Sequence, residues 1–134
     1  MSGIKLPRPL VKQLLSDAQH SPSAEVCGLI SARDGEPFQV YPVPNVSQTP
    51  ARFFTMDAKA QIDAMRTMRA AGEELFAIYH SHPDGPAAPS AEDLAQAAYP
   101  EALYLIISLQ AQQAPQLRGF WLRGGQAEPV KLEI

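Results

Sequence analysis

A continuous apolar run, Ala-Leu-Tyr-Leu-Ile-Ile-Ser-Leu, occupies residues 102–109, and polar residues bound it on both sides. An apolar run of this length without alternation is typical of a central strand that is buried on both faces. Such a strand needs neighbouring strands at its edges and other elements packed above and below it. The chain is therefore expected to build a sheet that carries helices.

Three helices are predicted between the strand-like segments. Apolar residues recur at helical spacing from Leu10 to Ala18, which indicates a first amphipathic helix. A second helix follows Asp57, which can cap it, and stops at Gly72. A third helix of about eight residues begins at Ser90 and ends before the next proline.

The remaining segments predict strands and turns. Asp34-Gly35 and Gly124-Gly125 are strong turn signals, each between two apolar segments, and predict two hairpins. Their strands are expected at residues 26–31 with 38–41, and at 117–122 with 130–134. A further strand is predicted at 52–56, after an irregular stretch at 42–50 that carries three prolines. The element order favours one α+β domain over residues 1–134.

Composition narrows the functional classes. The chain has 11 basic and 14 acidic residues in scattered positions and a net charge of −3, so no basic patch for nucleic acid or an anionic membrane is predicted. No apolar run is long enough to span a bilayer. Because Cys27 is the only cysteine, an internal disulfide is excluded, and we expect a cytoplasmic protein. The sequence leaves the oligomeric state open, and a homodimer is compatible with it.

The chemistry is expected in the segment from His80 to Asp93. Two histidines at i and i+2 follow the apolar run at 75–79, so strand alternation directs both imidazoles to one face. Hydrolytic zinc sites use three protein ligands and keep a fourth position for water, and His80, His82 and Asp93 supply that number. Two neutral imidazoles and one carboxylate leave the ion a formal charge of +1, enough to lower the pKa of a bound water toward ~7. Glu25, beside the strand at 26–30, is the expected general base.

Two other interpretations compete with this one. Ser90 and Asp93 have the spacing of a capping box, and Asp93 is expected to serve either the helix cap or a metal, because its carboxylate cannot easily point at both. Cys27 and a histidine could instead form a nucleophilic pair oriented by Asp93. Cys27 lies inside an apolar strand, however, where a small buried residue is the more common explanation.

The same residues resemble the JAMM motif of the MPN+ metalloproteases (the Mov34/MPN/PAD-1 family). Glu25 precedes His80-x-His82, seven intervening residues lead to Ser90, and two more lead to Asp93. Glu25-Val-Cys-Gly28, Asn45 and Arg52-Phe53 extend the resemblance beyond the motif, so that it covers nearly the whole chain. The chain is similar in length to the stand-alone prokaryotic members of the family, some of which process small sulfur-carrier proteins.

The resemblance implies a cytidine-deaminase-like fold with a mixed, largely antiparallel, curved sheet. It also implies a metalloprotease with one Zn²⁺ per chain, held by His80, His82 and Asp93, with Glu25 as the general acid/base and Ser90 as the oxyanion-stabilising group. The expected substrate is an amide after the C-terminal Gly-Gly of a ubiquitin-like or sulfur-carrier protein. Two other functions known in the family are a non-catalytic scaffold, against which the complete ligand set argues, and a role in DNA repair, which the charge balance disfavours.

Overall fold

A central six-stranded sheet organises the chain in the computed structural model, which describes residues 3–111 and 114–134. Its strands are numbered in chain order together with a two-stranded sheet formed near the two ends. The strands are β1 (Ile4–Lys5), β2 (Cys27–Arg33), β3 (Glu36–Val43), β4 (Glu74–His82), β5 (Leu103–Ser108), β6 (Gln116–Arg123), β7 (Gln126–Val130) and β8 (Leu132–Glu133). The helices are α1 (Arg8–Gln19), α2 (Ala58–Ala70) and α3 (Ala91–Gln96).

The large sheet has the order β3-β2-β4-β5-β6-β7. Only the central β4–β5 pair is parallel, and the other four pairs are antiparallel. The predicted α+β class and the largely antiparallel sheet are thus confirmed. The small sheet pairs β1 with β8 in parallel. None of the helices in the described ranges is long and apolar enough to cross a membrane.

Strand β5 lies between two apolar layers, as its uninterrupted apolar sequence predicts. Leu103, Leu105 and Ile107 pack into the cluster that contains α1, while Tyr104 and Ile106 pack into the cluster against α2. This alternation is the two-residue period of a strand, with both faces covered instead of one. The same alternation continues in β4 and decides which of its residues face α2.

The helix boundaries follow local signals. Asp57 caps α2 by accepting a hydrogen bond from the Ala60 N–H at 2.9 Å, and the chain leaves the helix at Gly72 with a positive φ of 74°. Ser90 is the N-cap of α3, which has six residues where about eight were expected. Arg8 begins α1 directly after Pro7.

Two strand predictions were wrong. Residues 52–56 form a loop and contribute only an isolated bridge between Met56 and Asn45. The Thr55 N–H donates to the Asn45 side chain, and the N–H groups of Arg52 and Phe53 donate to the Thr49 carbonyl, so they are not available for a strand ladder. The partner of β6 is β7 at Gln126–Val130, and Leu132–Glu133 instead pairs with β1. Gly124 and Gly125 both have positive φ, so the tight turn starts pairing at once with Arg123 opposite Gln126.

Candidate metal centre

The two histidines lie at the carboxyl end of β4, beside the parallel strand β5. Strand alternation turns both imidazoles toward the α2 face, where the two Nε2 atoms are 3.1 Å apart. Both side chains are buried. The prediction that His80 and His82 share one face is therefore confirmed.

Asp93 reaches the same point from the first turn of α3. Its Oδ2 atom lies 3.1 Å from the Nε2 atoms of both His80 and His82. The same oxygen accepts the Ser90 N–H at 2.9 Å, while the Asp93 N–H donates to Ser90 Oγ at 3.0 Å, which completes a capping box. The expectation that Asp93 serves either the cap or the ligand set is wrong, because one carboxylate oxygen contacts both groups.

The three contacting atoms form a triangle with three equal edges of 3.1 Å. Ligands in a tetrahedral zinc site at ~2.0–2.1 Å from the ion are separated by ~3.3 Å, close to the observed edges. Imidazole nitrogen and carboxylate oxygen are also the donor types that borderline metal ions prefer. The geometry and the donor chemistry both fit a metal ion.

The orientation of His82 is fixed from behind by a backbone carbonyl. Its Nδ1 atom lies 2.8 Å from the Pro86 oxygen, and a carbonyl can only accept, so Nδ1 carries the proton. The Nε2 lone pair of the neutral ring is then directed at the triangle. Burial lowers the pKa of His82, but the hydrogen bonds that the protonated ring makes to Asp93 and to Pro86 outweigh it and raise the pKa above its ordinary value.

His80 is held by packing. Its ring stacks on Phe54 with centroids 4.4 Å apart and an interplanar angle of 23°. Burial keeps the pKa of His80 below its ordinary value, and Asp93 opposes this effect. The neutral imidazole that a metal ligand requires is therefore the favoured form.

Glu25 provides a second carboxylate beside the triangle. It is buried, and Glu25, His80 and His82 each offer an atom within 4.8 Å of the other two. Its Oε1 atom is buried without a hydrogen-bond partner among the described residues. Asp93 Oδ2 lies 3.1 Å from both imidazoles, so either carboxylate, Asp93 or Glu25, is placed to complete a donor set with the two histidines.

The two carboxylates have opposite pKa shifts. Burial, opposed by His82 and reinforced by Asp93, raises the pKa of Glu25 to about 7. Burial also disfavours the charged form of Asp93, but the hydrogen bonds from His80 and His82 outweigh it and hold its pKa well below the usual range. The Asp93 carboxylate is thus a permanent anion, and the Glu25 carboxylate can gain or lose a proton near neutral pH.

Ser90 is exposed at the start of α3. Its Oγ atom accepts the Asp93 N–H, and within the described parts of the chain its own hydroxyl proton has no acceptor. That proton can be donated to a group that binds at the site.

Ser81, between the two histidines, was missed by the sequence interpretation. It is fully buried and faces away from the imidazoles; its Oγ accepts the Val26 N–H at 2.8 Å. Val26 follows Glu25 directly, so this bond joins the histidine strand to the segment that carries Glu25. The signal was present in strand alternation, which turns the middle residue of His80-Ser81-His82 to the opposite face.

Two cavities flank the triangle. An apolar cavity of about 310 Å³ extends from His80 and Asp93 to Phe54, Tyr99 and Leu122. A larger and more open cavity of about 870 Å³ lies on the other side and is lined by Glu25, Arg52, His82, Ser90 and the 83–89 loop. An extended chain could cross the triangle from one cavity to the other.

Cys27 is buried on β2, opposite His80 in the β2–β4 ladder. Burial, reinforced by the charge of Glu25, raises the pKa of its thiol to about 12. Its Sγ atom donates to the Val43 carbonyl at 3.4 Å. A thiolate is therefore strongly disfavoured, which argues against a Cys-His nucleophilic pair.

Residues 7–123 match the model of a protein family described as prokaryotic homologs of the JAB domain. A desampylase of Haloferax volcanii is 35% identical over 94 residues, covering 68% of this chain and 67% of the relative. A CysO-cysteine peptidase of Mycobacterium tuberculosis is 30% identical over 127 residues, covering 92% and 86%. A probable TtuB-protein conjugate cleaving protease of Thermus thermophilus is 33% identical over 121 residues, covering 90% and 77%.

Two solved structures are also similar to this chain. The solution structure of a Desulfitobacterium hafniense protein has a TM-score of 0.86 at 35% identity and covers 97% of this chain and 91% of its own. A JAB1/MPN domain protein from Archaeoglobus fulgidus has a TM-score of 0.65 at 22% identity and covers 98% and 97%. Because its sequence identity is only 22%, the similarity to the Archaeoglobus fulgidus protein concerns the fold alone.

Proposed function

The chain belongs to the family of prokaryotic homologs of the JAB domain, and we propose that it is a zinc-dependent isopeptidase of protein conjugates. Its substrate is the amide bond that follows the C-terminal Gly-Gly of a small ubiquitin-like or sulfur-carrier protein. The observation that carries the proposal is the triangle of His80, His82 and Asp93 with the protonatable Glu25 beside it. One zinc ion per chain is expected.

The relatives support this class of reaction. One relative is named a desampylase, one a CysO-cysteine peptidase and one a probable TtuB-protein conjugate cleaving protease, so two of the three names state a peptidase or protease activity. The CysO-cysteine peptidase and the TtuB-protein protease align with at least 90% of this chain. The chemistry proposed for the chain follows from its own residues.

His80, His82 and Asp93 would hold the zinc ion, with the Pro86 carbonyl and the Ser90 N–H orienting the ligands from outside. Zinc supplies Lewis acidity, which polarises a carbonyl and lowers the pKa of water. The remaining tasks of the reaction are to move one proton, to stabilise a developing negative charge and to align the substrate.

Glu25 moves the proton in this proposal. As a carboxylate it accepts a proton from the attacking water, and as a carboxylic acid it donates that proton to the departing amine nitrogen. A pKa of about 7 makes both forms accessible at neutral pH. The buried Oε1 atom, which has no hydrogen-bond partner in the described ranges 3–111 and 114–134, is available for this exchange.

Ser90 is proposed to donate its hydroxyl proton to the carbonyl oxygen as negative charge develops there. Its Oγ atom already accepts the Asp93 N–H, which limits the positions that the hydroxyl can take. A donor held in advance stabilises the transition state without reorganisation during the reaction.

The position of Glu25 also suggests the direction of the substrate. The departing amine must lie on the side of Glu25, which is the open cavity with Arg52 and the 83–89 loop. The carrier's C-terminal tail then enters from the apolar cavity beside His80. That cavity is too small for a folded domain, so only an extended tail can enter it.

The test uses a carrier protein that ends in Gly-Gly, joined by an amide bond to a short peptide. Wild-type protein with zinc is expected to release the peptide, and mass spectrometry is expected to place the cut after the second glycine. A matched carrier that ends in Val-Val is the control, because its side chains would obstruct the narrow approach. If the protein binds the Gly-Gly conjugate but never cleaves it, the proposal is wrong and a scaffold role replaces it.

Two further properties belong to this proposal. Residues 1–134 are proposed to act as one domain, because every helix packs on the same central sheet or lies at its edge. A cytoplasmic location is proposed because the chain has a single unpaired cysteine, as is common in reducing compartments.

A further inference from the structure

The side chain of Asn45 lies at the centre of the loop formed by residues 44–56, between β3 and α2. Its Nδ2 atom donates to the Glu25 carbonyl at 3.0 Å and to the Phe53 carbonyl at 3.1 Å. Its Oδ1 atom accepts the N–H groups of Ser47 and Thr55, both at 3.0 Å. The amide thus uses both of its donors and both of its lone pairs.

Glu25 depends on this loop because the sheet does not hold its backbone. β2 begins two residues later, at Cys27. The Glu25 N–H donates to the Pro50 carbonyl at 2.7 Å, and the Glu25 carbonyl accepts from Asn45. Both backbone polar groups of Glu25 are therefore bonded to the 44–56 loop.

The carboxylate of Glu25 lacks an equivalent support. Its Oε1 atom is buried without a hydrogen-bond partner among the described residues. The position of the carboxylate must therefore come from its backbone and from the packing around it. A backbone shift at Glu25 would move the proton carrier relative to His80 and His82.

The same loop also contacts the metal-ligand side of the site. Phe54 stacks on the His80 ring, and Asn45 binds the carbonyl of the preceding residue, Phe53. One amide group consequently ties the backbone of Glu25 to the segment that covers His80. The Asn45 side chain makes both hydrogen bonds without contacting the triangle of His80, His82 and Asp93.

We propose that Asn45 is a positioning residue for the hydrolytic reaction and acts through Glu25, an inference that rests on the proposed function. It holds the Glu25 backbone so that the carboxylate stands at the correct distance from the donor triangle. Only an amide of this length combines the two donors and the acceptor that the loop requires. Aspartate keeps the shape and the acceptor for Ser47 and Thr55 but cannot donate to Glu25.

The test compares Asn45→Asp with Ser47→Ala, a matched loop variant. Ser47 Oγ accepts the Thr49 N–H at 3.1 Å in the same loop and makes no bond to Glu25. Asn45→Asp is expected to lower kcat by about 10- to 100-fold, because small misplacements of catalytic groups have effects of this size. KM, zinc affinity and the kinetics of Ser47→Ala are expected to stay within about twofold of wild type.

A double variant separates positioning from general damage. If Asn45 acts through Glu25, adding Asn45→Asp to Glu25→Gln causes no further loss of the residual activity. An equal fold-loss in both backgrounds, or a loss of zinc affinity in place of kcat, would overturn the inference. Where Asn45→Asp fails to fold, Asn45→Ala is measured by the same criteria.

Failure of this inference is distinguishable from failure of the proposed function. A nearly inactive Glu25→Gln together with a fully active Asn45→Asp rejects the role of Asn45 and leaves the proposed reaction in place. A fully active Glu25→Gln rejects the proposed base, and with it any action of Asn45 through that base. Zinc affinity, measured by competition with a chelating dye, shows in each case whether the donor triangle is intact.

Discussion

Ser81 and Val26 are joined by two hydrogen bonds, one in each direction. The Val26 N–H donates to Ser81 Oγ at 2.8 Å, and the Ser81 N–H donates to the Val26 carbonyl at 3.0 Å. Ser81 lies between the two histidines, and Val26 follows Glu25. The pair therefore fixes the spacing between the histidine strand and the segment that carries the proposed base.

Ser81→Ala is expected to lower both stability and kcat. The substitution leaves the Val26 N–H without its partner, which costs about 1–3 kcal/mol where the group is buried. Urea unfolding measures the stability, and steady-state kinetics measure kcat. Ser31→Ala is the control for kcat, because Ser31 is equally buried on the same sheet and its side-chain bonds to the Gln39 carbonyl and to Glu73 lie outside the site. A Ser81→Ala variant with wild-type kcat would contradict the coupling.

Ala98→Trp is expected to block the carrier tail. Ala98 is exposed and lines the apolar cavity, so a large ring there would occupy space proposed for the substrate. The expected result is a KM for the Gly-Gly conjugate raised by about tenfold, with unchanged zinc affinity. Ala95→Trp is the control, since Ala95 is an exposed residue of α3 outside the cavity. Equal kinetics in the two variants would reject the proposed direction of the tail.

Glu73 is expected to cause part of the decrease in the free energy of unfolding at acid pH. Hydrogen bonds from Ser31 and Tyr41 keep the pKa of Glu73 below its ordinary value, with a further contribution from Arg33. A carboxyl whose pKa is lower in the folded state stabilises the fold above its unfolded pKa, and this stability is lost as the pH falls. Glu73→Gln should therefore reduce the free energy of unfolding at neutral pH, and the difference from wild type should shrink below pH ~4. A difference that does not change with pH would show that the charge of Glu73 has no part in it.

Cys27 is expected to be dispensable for catalysis. Because its buried thiol has a pKa of about 12, treatment with iodoacetamide at neutral pH should leave activity unchanged. Cys27→Ala should keep kcat within about threefold of wild type while lowering stability by about 1 kcal/mol for the lost packing. Loss of activity both upon alkylation of the wild-type protein and in Cys27→Ala would revive a thiol mechanism.

Local rules predicted much of the site because its parts are close in sequence. Strand alternation placed His80 and His82 on one face, and the capping pattern placed Ser90 and Asp93 at a helix start. Asp93 reaches the two histidines because of the path of the 83–89 loop, which no local rule predicts. Glu25 was expected near the histidines from its place beside the strand at 26–30 and from the family resemblance, but no local rule predicts that this strand pairs with the histidine strand.

The errors have physical causes as well. Strand β7 has the sequence Gln-Ala-Glu-Pro-Val, is exposed except at its last residue and contains a proline, so hydrophobic alternation could not reveal it. The predicted strand at 52–56 carries suitable side chains, but its backbone bonds go to Asn45 and to isolated partners. Strand β1 has only two residues and exists because β8 lies beside it, a tertiary contact that the sequence does not encode locally.

The most direct test of the central claim is zinc-dependent cleavage of the Gly-Gly conjugate. The protein is stripped of metal with a chelator, dialysed, and titrated with zinc while peptide release and zinc content are measured together. The stripped protein is expected to show no cleavage and to recover fully at about one zinc per chain, whereas His82→Ala is expected not to recover. Full cleavage by the metal-free protein would rule out a zinc-dependent reaction.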